Sequence, residues 1–164
     1  MTTQATYSPA EWVLIRELPL YVTFAVIQAG PGDVRHTQRE LRTLVRALAR
    51  EVGAGKDAEL IHAVLRDATS PESPDDIVAD GLDDPRTAAL AAPGVCRQVA
   101  DILAAKSNPT EALSYKRWVL WIGGQVAEAA REGSFLRLGG PSVSDEEAAL
   151  LDRLTLALGI VHAG

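Results

Sequence analysis

Residues Pro109–Glu132, PTEALSYKRWVLWIGGQVAEAARE, carry the longest apolar-periodic segment of the chain. Asn108 is a good N-cap ahead of it. Pro109 suits the first helical position, where no backbone N–H is needed, and Glu111 sits near the positive end of the helix dipole. At about 100° per residue, Tyr115, Trp118, Val119, Ile122, Val126 and Ala129 fall on one face. Leu113, Leu120 and Trp121 lie on other faces, so the middle of the segment is apolar nearly all round, the pattern of a helix buried on several sides. This predicts a central helix around which the others pack. Gly123 and Gly124 each cost about 1 kcal/mol relative to alanine in a helix interior. Close approach of a neighbouring helix backbone, along the strip Gly123, Ala127 and Ala130, is the expected compensation. A break at the glycine pair is the competing account; the continuous helix is the expectation.

Trp121 shares its side of this helix with Arg117, Glu128 and, nearby, Gln125. Two readings follow. The face is either a second packing surface within the fold or an anchor in a subunit or partner interface, where tryptophan is enriched.

At 164 residues, one domain with a proper core is expected. Apolar content of 47% with 23% charged residues is ordinary for a soluble globular protein, and abundant Ala, Leu and Arg favour helix. Cys96 is alone, which excludes an internal disulfide and makes a reducing compartment the default. The start, MTTQATYSPAEW, lacks the charged and apolar regions of a signal peptide, and the uncharged run Leu18–Ala29 is shorter than a membrane span. A soluble, cytoplasmic protein is expected, with no membrane contact. The net charge of −6 is local: seven acids and no bases lie between Asp67 and Asp84, and without them 15 acids face 16 bases.

The remaining helices are marked by their starts. Ser8-Pro9-Ala10-Glu11 is a capping box, and Trp12, Ile15, Leu18, Val22, Val26 and Ala29 follow as an inward line ending at Gly30-Pro31-Gly32. Pro19 should kink that helix. Thr37-Gln38-Arg39-Glu40 opens a helix running to about Val52, with Leu41, Leu44, Val45, Leu48 and Val52 inside. Its opposite side carries Arg39, Arg42, Arg46 and Arg50, extended by Arg35, with no glutamate to neutralise the stripe. It reads as a solvated basic face, as a contact for the acidic segment, or as a site for an anion or phosphate backbone. Lys56–Ala68 gives a helix with Leu60, Ile61, Val64 and Leu65 inward and His62 at its boundary. Thr69–Pro85 is a surface loop rather than a domain boundary. Arg86–Ala92 and Gly94–Lys106 form a helix interrupted by Pro93, with Leu90, Val95, Val99, Ile102 and Leu103 inward and Cys96 one step off that line. Ser144-Asp145-Glu146-Glu147 is a third capping box, opening a helix to about Leu158.

Motifs with chemistry are missing. The chain has no phosphate-binding Gly-rich loop, GxGxxG, HExxH or GxSxG, and its histidines, His36, His62 and His162, are scattered. The carboxylates of the acidic segment do not follow the calcium-loop pattern. No catalytic residue, cofactor or metal site is assigned.

The segment VAEAAREGSFLRLGGPSVSDEEAALLDRL at 126–154, taken with Glu11-Trp12, Leu18-Pro19 and Tyr115-Lys116-Arg117-Trp118, resembles an uncharacterised family of small bacterial helical proteins. The resemblance implies an all-helical fold and no assigned activity. The turn from Gly140 into the last helix is also distantly similar to helical proteins of the tellurite-resistance TerB type. Those carry acidic metal-associated positions before the turn. Here Leu138, Gly139 and Gly140 stand there, so no metal site carries over.

The sequence therefore predicts a single all-α domain of six to seven helices, in orthogonal or bundle-like packing around a central helix at 109–132. The function it favours is a non-catalytic, cytoplasmic helical interaction protein that self-associates as a homodimer or binds a protein partner. Its candidate surface comprises Trp121, Arg117 and Gln125 together with the arginine stripe. The alternatives are polyanion or nucleic-acid binding through Arg35, Arg39, Arg42, Arg46 and Arg50, and stress-related binding of a cation or small ligand.

Overall fold

Ser8 and Glu11 cap the first long helix reciprocally. The Glu11 N–H donates to the Ser8 hydroxyl at 3.2 Å, and the Ser8 N–H donates to Glu11 Oε2 at 2.7 Å. With Pro9 in its first turn, helix α1 spans Pro9–Ala29, preceded by a 3-10 turn at Gln4–Thr6. The computed structural model describes residues 4–30, 47, 58–69, 84–132 and 144–161. Within them follow α2 (Glu59–Thr69), α3 (Pro85–Lys106), α4 (Pro109–Glu132) and α5 (Asp145–Ala157). No strand occurs among the described residues, and the five helices pack together in an all-α fold. The helix expected at 37–52, apart from Ala47, most of the acidic segment and the connection at 134–143 lie outside the described residues.

The centre of the fold is α1, which corrects the expectation that it would be 109–132. Every residue from Glu17 to Ile27 is buried, and α1 lies against each of the other four helices, α3 most extensively. Its run from Leu18 carries no charge, so no side has to face water. α4 also touches all four other helices, but less extensively, and one strip of it stays in solvent. Tyr115, Trp118, Val119, Ile122 and Val126 are buried, whereas Arg117, Trp121 and Glu128 are exposed. Its charged residues hold that side in solvent.

Asp84 caps α3, accepting from the backbone N–H of Arg86 and Thr87 and, at 2.7 Å, from the Thr87 hydroxyl. The helix then continues through Pro93, where an interruption was expected. Pro93 removes one intrahelical hydrogen bond, but buried Ala92, Val95 and Cys96 around it hold the segment against the core. Leu90, expected inward, is 86% exposed; the fully buried line is Ala88, Ala92, Cys96, Val99 and Leu103. Small residues at the first three positions let α3 settle closely on α1. A short turn leads into α4, whose Thr110 N–H donates to Asn108 Oδ1 at 2.9 Å. Ser144 and Glu147 form a second reciprocal cap at the start of α5. Glu147 is buried there against the end of α1, and a Cβ on Gly30 would stand 2.8 Å from its Oε1.

The two glycines of α4 have different surroundings. A Cβ on Gly123 would lie 2.9 Å from Val22 Cγ1, 3.4 Å from Leu151 Cδ2 and 3.5 Å from Val26 Cγ2. The compensating contacts are therefore side chains of α1 and α5, not a neighbouring backbone. A Cβ on Gly124 would meet nothing within 4 Å among the described residues.

Pro19, buried in the middle of α1, has no N–H to donate to the Ile15 carbonyl one turn back. The Tyr115 hydroxyl of α4 donates to that carbonyl instead. Tyr115 is itself fully buried, and burial pushes its phenol well above the usual tyrosine value. The Thr23 hydroxyl donates to the Pro19 carbonyl at 2.7 Å.

Two outcomes are expected. Gly123→Ala should destabilise by about 1–3 kcal/mol through overpacking, while Gly124→Ala should stabilise by about 0.5–1 kcal/mol; urea unfolding of both at one protein concentration reads the difference. Tyr115→Phe should cost about 1–3 kcal/mol by leaving a buried carbonyl without its donor. Pro19→Ala restores a backbone donor, so the same substitution should cost less in that background, a coupling measured by a double-mutant cycle.

Candidate functional site

A helix that turns Tyr115 inward must turn the residue six positions on to the far side, because six steps rotate by about 240° beyond a full turn. Trp121 accordingly points outward and is 39% exposed. Exposed Arg117 and Glu128 and half-buried Gln125 and Gly124 share its side of α4. The structure thus brings together Trp121, Arg117 and Gln125, the residues assigned to this face from sequence. Gly124, which the sequence reading had treated only as a helix-packing glycine, has no close neighbour for a side chain among the described residues. The other assigned group, Arg35, Arg39, Arg42, Arg46 and Arg50, lies outside the described residues.

A second collection of polar side chains, not anticipated from sequence, gathers at the start of α1. Trp12 Nε1 donates to Asp67 Oδ2 at 2.8 Å. Arg16 reaches the same oxygen through one terminal guanidinium nitrogen at 3.4 Å and Glu17 Oε1 through Nε at 2.9 Å. One guanidinium thereby serves carboxylates on α1 and α2, and all three side chains are largely shielded from solvent. The adjacent pair Arg16-Glu17 between apolar positions was the available signal. Tyr7 stacks on Trp12 with ring centroids 5.9 Å apart, and its hydroxyl meets the Ser107 hydroxyl at the α3–α4 turn. Burial pushes the Tyr7 phenol up, against the opposing effect of the Ser107 hydrogen bond. Lys106 closes the group with a 2.6 Å contact to Glu11 Oε2.

Glu111 Oε1 and Trp118 Nε1, on the inner side of α4, are buried with no hydrogen-bond partner among the described residues. Burial pushes the Cys96 thiol up to about 12, so it stays protonated and unreactive at neutral pH. Burial lowers Lys116, partly opposed by Asp101. Among the described residues, no three histidine, cysteine or acidic side chains are grouped to hold a metal. Most of the described polar groups form caps and helix-to-helix ties, and the α4 face carries an exposed tryptophan beside charged residues.

Glu11 and Asp84 supply a pH test of these ties. The Lys106 hydrogen bond, followed by the Ser8 backbone N–H, holds Glu11 below the usual carboxylate value. The Thr87 hydroxyl, followed by the Arg86 N–H, does the same for Asp84. A depressed folded-state value means stabilisation that is complete above the unfolded carboxylate pKa and lost as pH falls through the lower folded one. The melting temperature should therefore drop on acidification through the carboxylate range, and Glu11→Gln with Asp84→Asn should flatten the drop in a series of thermal melts.

Comparison of the chain with protein-family models, with characterised proteins and with solved structures gives no match.

Proposed function

We propose that this protein is a non-catalytic helical interaction protein of the cytoplasm that self-associates through the outer face of α4. The observation that carries the reading is Trp121: a large aromatic 39% exposed on a well-formed helix, bordered by Arg117, Gln125 and Glu128. A rigid indole rimmed by polar groups is the composition of an interface anchor, with apolar area at its centre and hydrogen-bonding groups around it. The face also needs no rearrangement to bind, since α4 is fixed behind it by Tyr115, Ile122 and Gly123 against α1 and α5.

Sedimentation at micromolar concentration should show a dimer. Trp121→Ala should cost about 2 kcal/mol of association, about a 30-fold rise in Kd, while leaving the helical fold intact by circular dichroism. A monomer for the unsubstituted chain throughout the micromolar range would overturn the reading.

A further inference from the structure

The exposed face of α4 has an internal symmetry. Arg117 and Glu128 stand at equal distances on either side of the midpoint between Ile122 and Gly123, and so do Trp121 and Gly124. With a rise of 1.5 Å per residue, the charged pair lies about 8 Å from that midpoint and the inner pair about 2 Å. All four residues fall within about 60° of one another around the helix, and none points into the core. If two α4 helices meet antiparallel about a two-fold axis at this midpoint, each position faces its mirror position on the other copy.

Resting on the self-association reading, we infer that the partner on this face is a second copy of the same chain, with its α4 antiparallel in this one register. Charge complementarity fixes it. Arg117 of each copy then faces Glu128 of the other, so the dimer gains two opposite-charge contacts from one pair of residue types. A parallel arrangement would set Arg117 against Arg117 and Glu128 against Glu128. The apolar centre fits as well. Each Trp121 faces the Gly124 of the other copy, where a side chain's first carbon would meet nothing within 4 Å among the described residues. The space at Gly124 takes the indole of the partner, and the two indoles flank the axis in the desolvated middle. The glycine that α4 does not need for its own packing is thereby used between copies.

Charge reversal tests the register. Arg117→Glu alone and Glu128→Arg alone should each raise the dimer Kd by about tenfold or more, because each creates two like-charge contacts. The chain carrying both reversals should recover an affinity close to the original. An equimolar mixture of the two single variants should form a heterodimer about as tight as the original dimer, because both contacts are again opposite in sign. Gly124→Leu should raise Kd about tenfold or more without loss of helix. Sedimentation and fluorescence-labelled mixing at low salt provide the readouts, since these rim charges are screened at high salt. If Trp121→Ala dissociates the dimer but the single reversals and their mixture match the unsubstituted chain, the register is wrong and self-association stands. If the unsubstituted chain does not associate, both fall together.

Discussion

The hydrogen bond from the Tyr115 hydroxyl to the Ile15 carbonyl is the constraint on which the arrangement of the helices turns. α1 is enclosed from Glu17 to Ile27, so a backbone group left open there is not repaired by solvent. Pro19 leaves one open by lacking an N–H. Leaving that carbonyl unpaired would cost about 1–3 kcal/mol, and the donor comes from another helix rather than from α1. A defect in one helix thereby becomes a specification of how a second helix must sit: α4 has to bring residue 115 beside residue 15. Its rotation follows, and with it the outward direction of Trp121.

Packing along the rest of α4 agrees with that rotation. Gly123 stands two helical turns beyond Tyr115, at the place where Val22, Val26 and Leu151 crowd the helix. A side chain there would push α4 away from α1 and α5. The cost of glycine in a helix interior is thus offset by two helices approaching α4 at one point. Gly124, one step round, has no such compensating contact among the described residues. The two neighbours show that a Gly-Gly pair in a helix need not have one explanation.

Legibility of the fold in the sequence followed the range of the interactions. The capping boxes at Ser8 and Ser144 and the cap at Asn108 rest on groups within three residues, and helix starts can be read there directly; the Asp84 cap went unread because that residue was taken as part of the loop. The continuity of α4 across its glycines was also legible. The choice of centre was not, because an inward stripe was imposed on α1 where the informative feature was the lack of any charge over a whole run. Leu90 and Pro93 misled for a related reason. Side-chain size suggested Leu90 for the interior, but a close α1–α3 contact selects Ala88, Ala92 and Cys96. Propensity suggested a break at Pro93, but tertiary burial on both sides outweighs one lost bond. On the candidate surface, Trp121, Arg117 and Gln125 were legible from helical spacing alone. The lack of a close neighbour at Gly124 among the described residues was not, since it depends on where the other helices lie.

The polar groups divide the molecule into regions with different tasks. At the start of α1, Arg16, Asp67, Glu17 and Trp12 link α1 to α2, while Glu11 and Lys106 tie it to α3. Buried pairs of this kind contribute little net stability over apolar packing, but they are costly to break singly and so disfavour other alignments of the same helices. Glu111 and Trp118 show the opposite situation, each with a buried polar atom unpaired among the described residues, seven residues apart on one stripe of α4. Between them is Tyr115, whose own hydroxyl is satisfied. The first half of α4 is therefore held by a specific hydrogen bond, and its second half by dense apolar contact at Ile122, Gly123 and Val126. Trp121 stands on the outer side of that second half, with Ile122, Gly123 and Val126 packed behind it. An aromatic carried by a helix already packed from behind would need little further ordering to dock, the property the proposed association draws on.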